Sequence, residues 1–202
     1  MIALFAHAGI MKYPLLICSV LSVYIFVYKW ITLNRSKFDR VLLCRAIKQR
    51  CLKNGMEATI QDLQLDRTVP ANIASEVLKI SHLPGDLKED AIKEILIPEV
   101  RRLESQLPIL SLIISVAPML GLLGTVMGLI QIFNVLAGGG IGNPMALSGG
   151  IAEALITTVS GLGIAVCTMF FHHFTHHKAE KIISDLELMA FQLIVFVEIE
   201  KG

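Results

Sequence analysis

Residues 149–171 read G-G-I-A-E-A-L-I-T-T-V-S-G-L-G-I-A-V-C-T-M-F-F. A helix of that length crosses the hydrocarbon core of a bilayer, about 30 Å thick at about 1.5 Å per residue. A plain lipid anchor has no use for the rest of its content: small residues at helical spacing, hydroxyls, and one carboxylate, Glu153. A second run of similar length, residues 117–137, reads A-P-M-L-G-L-L-G-T-V-M-G-L-I-Q-I-F-N-V-L-A and carries a comparable small and polar stripe. These two helices are expected to line a proton-coupled path, with the remaining chain placing them in a ring.

The totals agree with a membrane protein. Of the 202 residues 54% are hydrophobic and 17% charged, against about 25% charged in soluble domains, and the mean hydropathy is +0.66. A net charge of +1 argues against a nucleic-acid partner. Charge is unevenly placed: 13 of the 18 Lys and Arg fall within residues 35–102, and none within 108–177. Cysteines at 18, 44, 51 and 167 form no C-x-x-C pair, which fits buried or cytosolic thiols better than a disulfide framework.

Residues 14–33 make a first span. A cleaved signal peptide would carry its positive charges in front of the apolar run. Here Lys12 stands alone in front, and Lys29, Arg35, Lys37 and Arg40 follow, so a retained helix is expected. Lys29 and Trp30 suit a snorkelling cation and an interfacial aromatic. The basic residues after this span, with Arg101 and Arg102 before the second, place the middle region inside by the positive-inside bias. The expectation is an all-α membrane protein with the N-terminus outside and the C-terminus inside. It comprises a periplasmic segment 1–13, membrane helices 14–33, 107–137 and 149–172, a periplasmic turn 138–148, a cytoplasmic helical domain 34–106 and a cytoplasmic C-terminal helix 173–202. Residues 1–12 read either as a small interfacial helix or as a frayed terminus.

Within the middle region, Gly55 suits a helix C-cap, residues 70–72 break the chain, and Asp86-Leu87-Lys88-Glu89 resembles a capping box. The helix that follows is expected to continue through Pro98 and Pro108 into the membrane, each proline a point where it can kink. After the third span, Ile182, Leu186, Met189, Leu193 and Phe196 repeat at three- and four-residue steps, as on a packed helix face. No nucleotide loop, metal-spaced Cys/His cluster or catalytic triad stands out, so neither an enzyme nor a cofactor is expected.

Glu153 is the only Asp, Glu, Lys, Arg or His between Glu104 and His172. A carboxylate at the bilayer centre costs about 2.5–3.5 kcal/mol on insertion scales, and such residues usually mark ion paths and proton relays. Thr157 lies one turn further on the same face, continued by Gly161 and Ala165. Gly121, Gly124, Thr125 and Gly128 form the stripe on the other helix, and Gly124 to Gly128 is a G-x-x-x-G that permits close helix approach. The alternative for Glu153 is a solvated, inert group at the outer interface. The alternative for the hydroxyls is a bond back to their own helix carbonyls. His172, His173, His176 and His177 make two i, i+4 pairs, a spacing that can bind a transition metal; the reading preferred here is an interfacial or subunit-contact cluster able to sense pH, and no metal is assigned.

The segments I-P-E-V-R-R-L-E (97–104), A-P-M-L-G-L-L-G-T-V-M-G-L-I (117–130) and G-I-A-E-A-L-I-T-T-V-S-G-L (150–162) resemble the proton channels of the ExbB, TolQ and MotA type, and the opening K-Y-P-L-L-I-C-S-V-L (12–21) is similar to ExbB-type chains. The resemblance covers the membrane part well and the middle domain poorly. It implies a three-helix subunit of a pentameric ring in the bacterial inner membrane. The ring would surround an ExbD- or TolR-like partner and pass force to a TonB- or TolA-like protein. It also implies that Glu153 and Thr125 line the pore, and that the second pore threonine is Thr158 rather than Thr157. Where family members often carry Pro in an A-A-I-P-A-V run, this chain has I-A-V-C-T with Cys167. An ExbB-like duty in TonB-type transport is the leading expectation, a TolQ-like duty in envelope integrity the runner-up, and a non-conducting scaffold the contrasting class. A MotA-like stator has four spans, not three.

Overall fold

The computed structural model describes residues 10–36, 38–66, 68–137 and 144–201. They form seven α-helices and no strand: α1 Lys12–Arg35, α2 Arg40–Asn54, α3 Met56–Leu65, α4 Val69–Lys79, α5 Gly85–Glu104, α6 Leu107–Ala137 and α7 Pro144–Lys201, with a 3-10 turn Ile80–His82 after α4. The helical regions Lys12–Asn54, Leu87–Asn134 and Ser148–Glu200 each contain a stretch long and apolar enough to cross a membrane. The chain is therefore an all-α membrane protein with three such stretches. The segment 1–12, read as a small interfacial helix or a frayed terminus, falls almost wholly outside the described residues. Of the outer turn 138–148, residues 138–143 do so too. The rest is already helix, because α7 starts five residues earlier than the reading placed it, on Pro144, whose fixed φ suits a first helical position.

Two compact units divide the chain. The first holds residues 10–30 and 106–175. Its centre is Leu15 of α1, Ile113 and Ala117 of α6, and Ile164 and Ala165 of α7, with Cys18 and Leu120 half-buried against them. Phe26 and Phe171 stack with ring centroids 4.4 Å apart. The outer faces remain apolar and exposed, at Leu16, Val20 and Val27 on α1, Leu122 and Val126 on α6, and Leu155, Val159 and Leu162 on α7. In water that surface is a liability, and in a bilayer it meets a solvent as apolar as itself.

Lys29, read as a snorkelling cation, lies on the packed face of α1. Its residue is only 1% exposed, because it shares the inward face of α1 with Leu15, Ser22 and Ile25, at three-, four- and seven-residue steps. Trp30, one position on, is exposed.

The second unit holds residues 31–105 and 176–202. Asp39 caps α2, accepting from the N–H groups of Val41 and Leu42 at 3.0 and 3.1 Å, and Gly55 ends it at φ 82°, a region open to glycine at no steric cost. Pro70 sits in the first turn of α4 rather than in a break before it. The anticipated capping box is not the cap of α5: the helix opens at Gly85 with Pro84 in the N-cap position. The carboxyl-terminal part of α7 buries Ile182, Leu186, Met189, Leu193 and Val197 in this unit. It is tied to α2 by Arg40 to Asp185 at 3.6 Å and to α5 by Lys88 to Glu198 at 2.5 Å.

The helix expected to continue through Pro108 into the membrane instead ends before it. α5 ends at Glu104, and Gln106 takes φ 71° before α6 begins. Pro108 has no N–H to give the carbonyl of Glu104, and its ring crowds that oxygen. The chain resolves this by starting a new helix whose first N–H groups, of Ile109 and Leu110, bond the Gln106 carbonyl at 3.1 and 3.3 Å. Pro98, by contrast, is accommodated inside α5. The four cysteines are free thiols.

Within α5, burial pushes the Glu99 carboxyl above its ordinary range, and Arg102 beside it offsets only part of that rise. A carboxyl with a raised folded value binds more protons folded than unfolded, so stability falls as pH climbs from the unfolded value to the folded one. Glu99→Gln is expected to remove this loss. The variant should match wild type below the ordinary Glu range and equal or exceed its thermal midpoint at pH 7, as read by heating the detergent-solubilised protein at both pH values.

Candidate ion-path site

The site begins with the contact between α6 and α7, where glycine lets two backbones meet. A Cβ placed on Gly161 would lie 2.5 Å from the carbonyl oxygen of Ala117 and 3.0 Å from Cα of Gly121. One on Gly121 would lie 3.0 Å from the Thr157 carbonyl oxygen, and one on Gly128 2.9 Å from Cβ of Ala154. One on Gly124 would meet the Thr157 side chain at 2.6 Å. All four glycines of the expected packing stripe thus sit in one seam. Such approach is how helices associate in lipid, where apolar surface gains nothing by leaving its solvent.

Two groups of polar side chains lie along this seam, and the structure separates them. Thr125 of α6 and Thr158 of α7 are hydrogen-bonded to each other through their hydroxyls. Both also lie within reach of the same two carbonyls, Gly121 at 3.3 and 3.2 Å and Ala154 at 3.3 and 3.4 Å. Two hydroxyl protons therefore find partners locally, and the pair forms a polar clasp between the helices.

Glu153 belongs to the other group. It is half-buried and opens on a narrow cleft of about 10 Å³ that it shares with Thr157, Gly124, Met127 and Gln131. Thr157 is buried and donates its hydroxyl proton to the carbonyl of Ala154 at 2.8 Å. Glu153 has no hydrogen-bond or ion-pair partner among the described residues. Of the four residues expected on the path, the structure pairs Glu153 with Thr157, as the helical face predicts, and Thr125 with Thr158. Gln131 and Met127 were not expected here. Their signal was a spacing: Gly124, Met127 and Gln131 follow at three and four residues, one face of α6.

No group of three or more His, Cys, Asp or Glu suited to a metal occurs among the described residues. His176 approaches Glu180 of the next turn at 3.8 Å.

Among the described residues Glu153 thus stands without a partner, beside a seam of glycines and hydroxyls between two helices of membrane-spanning length. The model of the MotA/TolQ/ExbB proton channel family matches residues 45–188. The chain belongs to this family. It is 33% identical over 144 residues to the putative biopolymer transport protein ExbB homolog of Methanothermobacter thermautotrophicus, covering 71% of this chain and 51% of that protein. Identity to the biopolymer transport protein exbB1 of Vibrio cholerae is 31% over 170 residues, 78% of this chain and 71% of that one. The Tol-Pal system protein TolQ of Haemophilus influenzae is 41% identical over a shorter stretch of 68 residues, 34% of this chain and 30% of its own. The match thus spans about half the length of the first of these MotA/TolQ/ExbB relatives and more of the second.

Proposed function

We propose that the chain is an ExbB-like subunit of an inner-membrane proton channel and motor, using the proton motive force to energise TonB-type transport across the outer membrane. The observation that carries this reading is Glu153. It is the one carboxylate or base in the apolar parts of α6 and α7, half-buried, and without a partner among the described residues. Glu153 takes up a proton on one side of the membrane and releases it on the other. Thr157 shares its cleft, and the Thr125–Thr158 clasp borders the path and holds α6 to α7 beside it.

A single subunit offers Glu153 only one wall of a path. The rest comes from further copies in a pentameric ring, and from an ExbD- or TolR-like membrane protein inside the ring that exchanges protons with it. A TonB- or TolA-like protein then carries the force outward. The domain 34–106 and the end of α7 stand on the cytoplasmic side. A TolQ-like duty is the second reading, supported by the similarity to the Haemophilus TolQ protein.

Complementation tests the proposal and separates the two duties. The chain, co-expressed with its own ExbD- or TolR-type partner, is expected to restore TonB-dependent uptake in cells lacking ExbB. Restored detergent resistance in cells lacking TolQ, without restored uptake, would assign the TolQ-like duty instead. Restoration of either by Glu153→Gln at equal membrane levels would remove Glu153 from the mechanism.

A further inference from the structure

The cleft beside Glu153 holds a side chain that neither the glycine seam nor the hydroxyl clasp accounts for. Gln131 lines it from α6, one helical turn beyond Met127 and two beyond Gly124. Exposure falls in the order Gln131, Glu153, Thr157: exposed, half-buried, buried.

The two neighbours offer Glu153 different chemistry. Thr157 has committed its only hydroxyl proton to the Ala154 carbonyl at 2.8 Å, so toward the cleft it can only accept. It suits the neutral carboxylic acid, which has a proton to donate. An ionised carboxylate only accepts and gains nothing from Thr157. The donor it needs is an N–H or O–H. Among the side chains lining the cleft, the Gln131 amide is the one with such a group to spare. Besides Glu153 itself, no charged or other titratable side chain lines the cleft among the described residues of α6, α7 and Ile10–Met11. At about 10 Å³ it has room for one water at the lower limit.

We propose that Gln131 is a positioning residue for Glu153, its amide donating to the ionised carboxylate directly or through one water, so that it sets the balance between the two protonation states. The inference rests on Glu153 being the proton carrier. With Thr157 serving the neutral form and Gln131 the ionised one, neither state is left without a partner. The carboxyl can then both load and unload.

The test reads the protonation of Glu153 chemically. A hydrophobic carbodiimide modifies a membrane carboxyl in its neutral form, and mass spectrometry gives the labelled fraction of Glu153 against pH in membranes holding the full assembly. Gln131→Met removes the amide at nearly constant volume, and Gln131→Asn retains it. Losing a hydrogen bond to a charged acceptor is expected to move the labelling midpoint of Gln131→Met to higher pH by about one unit. Gln131→Asn should stay close to wild type. A Gln131→Met midpoint equal to wild type would overturn the proposal, as would an equal shift in Gln131→Asn. Proton flux is measured separately: wild-type flux that does not depend on Glu153 would reject the carrier reading, while the labelling curves still decide the part played by Gln131.

Discussion

Gly161→Ala is expected to unseat α7 from α6, and with it the whole site. The added carbon would stand 2.5 Å from the Ala117 carbonyl oxygen and 3.0 Å from Cα of Gly121. Both are backbone atoms, so no side chain can rotate away, and the helices must part. Overpacking of this kind costs about 1–3 kcal/mol, against which alanine's better helix propensity returns about 1 kcal/mol. Helix contact is the main force holding such a seam in lipid, so the net loss should show as a lower thermal midpoint and less assembled complex by size exclusion in detergent. Gly163→Ala is the matched control. Nothing lies within 4 Å of its added carbon, so only the propensity gain remains, and its midpoint should equal or exceed wild type. Equal midpoints for the two variants would show that close backbone approach does not hold α6 to α7.

Glu153→Gln is expected to bring work driven by the proton motive force to background while protein level and assembly stay as in wild type. The substitution keeps the shape of the side chain and removes only its ability to lose a proton. No other acid or base lies between residues 105 and 171, so nothing in α6 or the first half of α7 can replace it. Glu153→Asp keeps the carboxyl one methylene shorter and should retain part of the activity. Thr157→Val should cost less than Glu153→Gln, because it withdraws an acceptor from the neutral form without abolishing titration. Uptake per unit of membrane-bound protein gives this order directly. Thr157→Val falling as low as Glu153→Gln would mean that the hydroxyl carries protons itself.

Legible in the residues were the features that depend on local period. Glu153 and Thr157 are one turn apart on any helix, and the cleft holds both. Gly121, Gly124, Gly128 and Gly161 announce close approach by size alone, and the seam uses all four. Features that depend on which face a helix turns inward were not legible. Lys29 reads as a cation at the end of a span, yet its burial follows from the rotation of α1, which its own residues do not disclose. Gln131 is one amide in an apolar run until α7 supplies Glu153 opposite. Thr125 and Thr158 entered through resemblance as pore residues, and only the packing shows that each is also the other's hydrogen-bond partner. Pro108 announced a lost hydrogen bond to residue 104, but whether the chain kinks or starts afresh was settled by Gln106 adopting φ 71°.

The central claim, that Glu153 carries protons across the membrane, is tested most directly by flux. The purified assembly is reconstituted into liposomes enclosing a pH-sensitive dye, a potassium diffusion potential is imposed, and internal pH is followed. Wild type should acidify or alkalinise the lumen according to the sign of the potential, and Glu153→Gln liposomes with equal protein should match empty ones. Equal rates for wild type and Glu153→Gln would contradict the account.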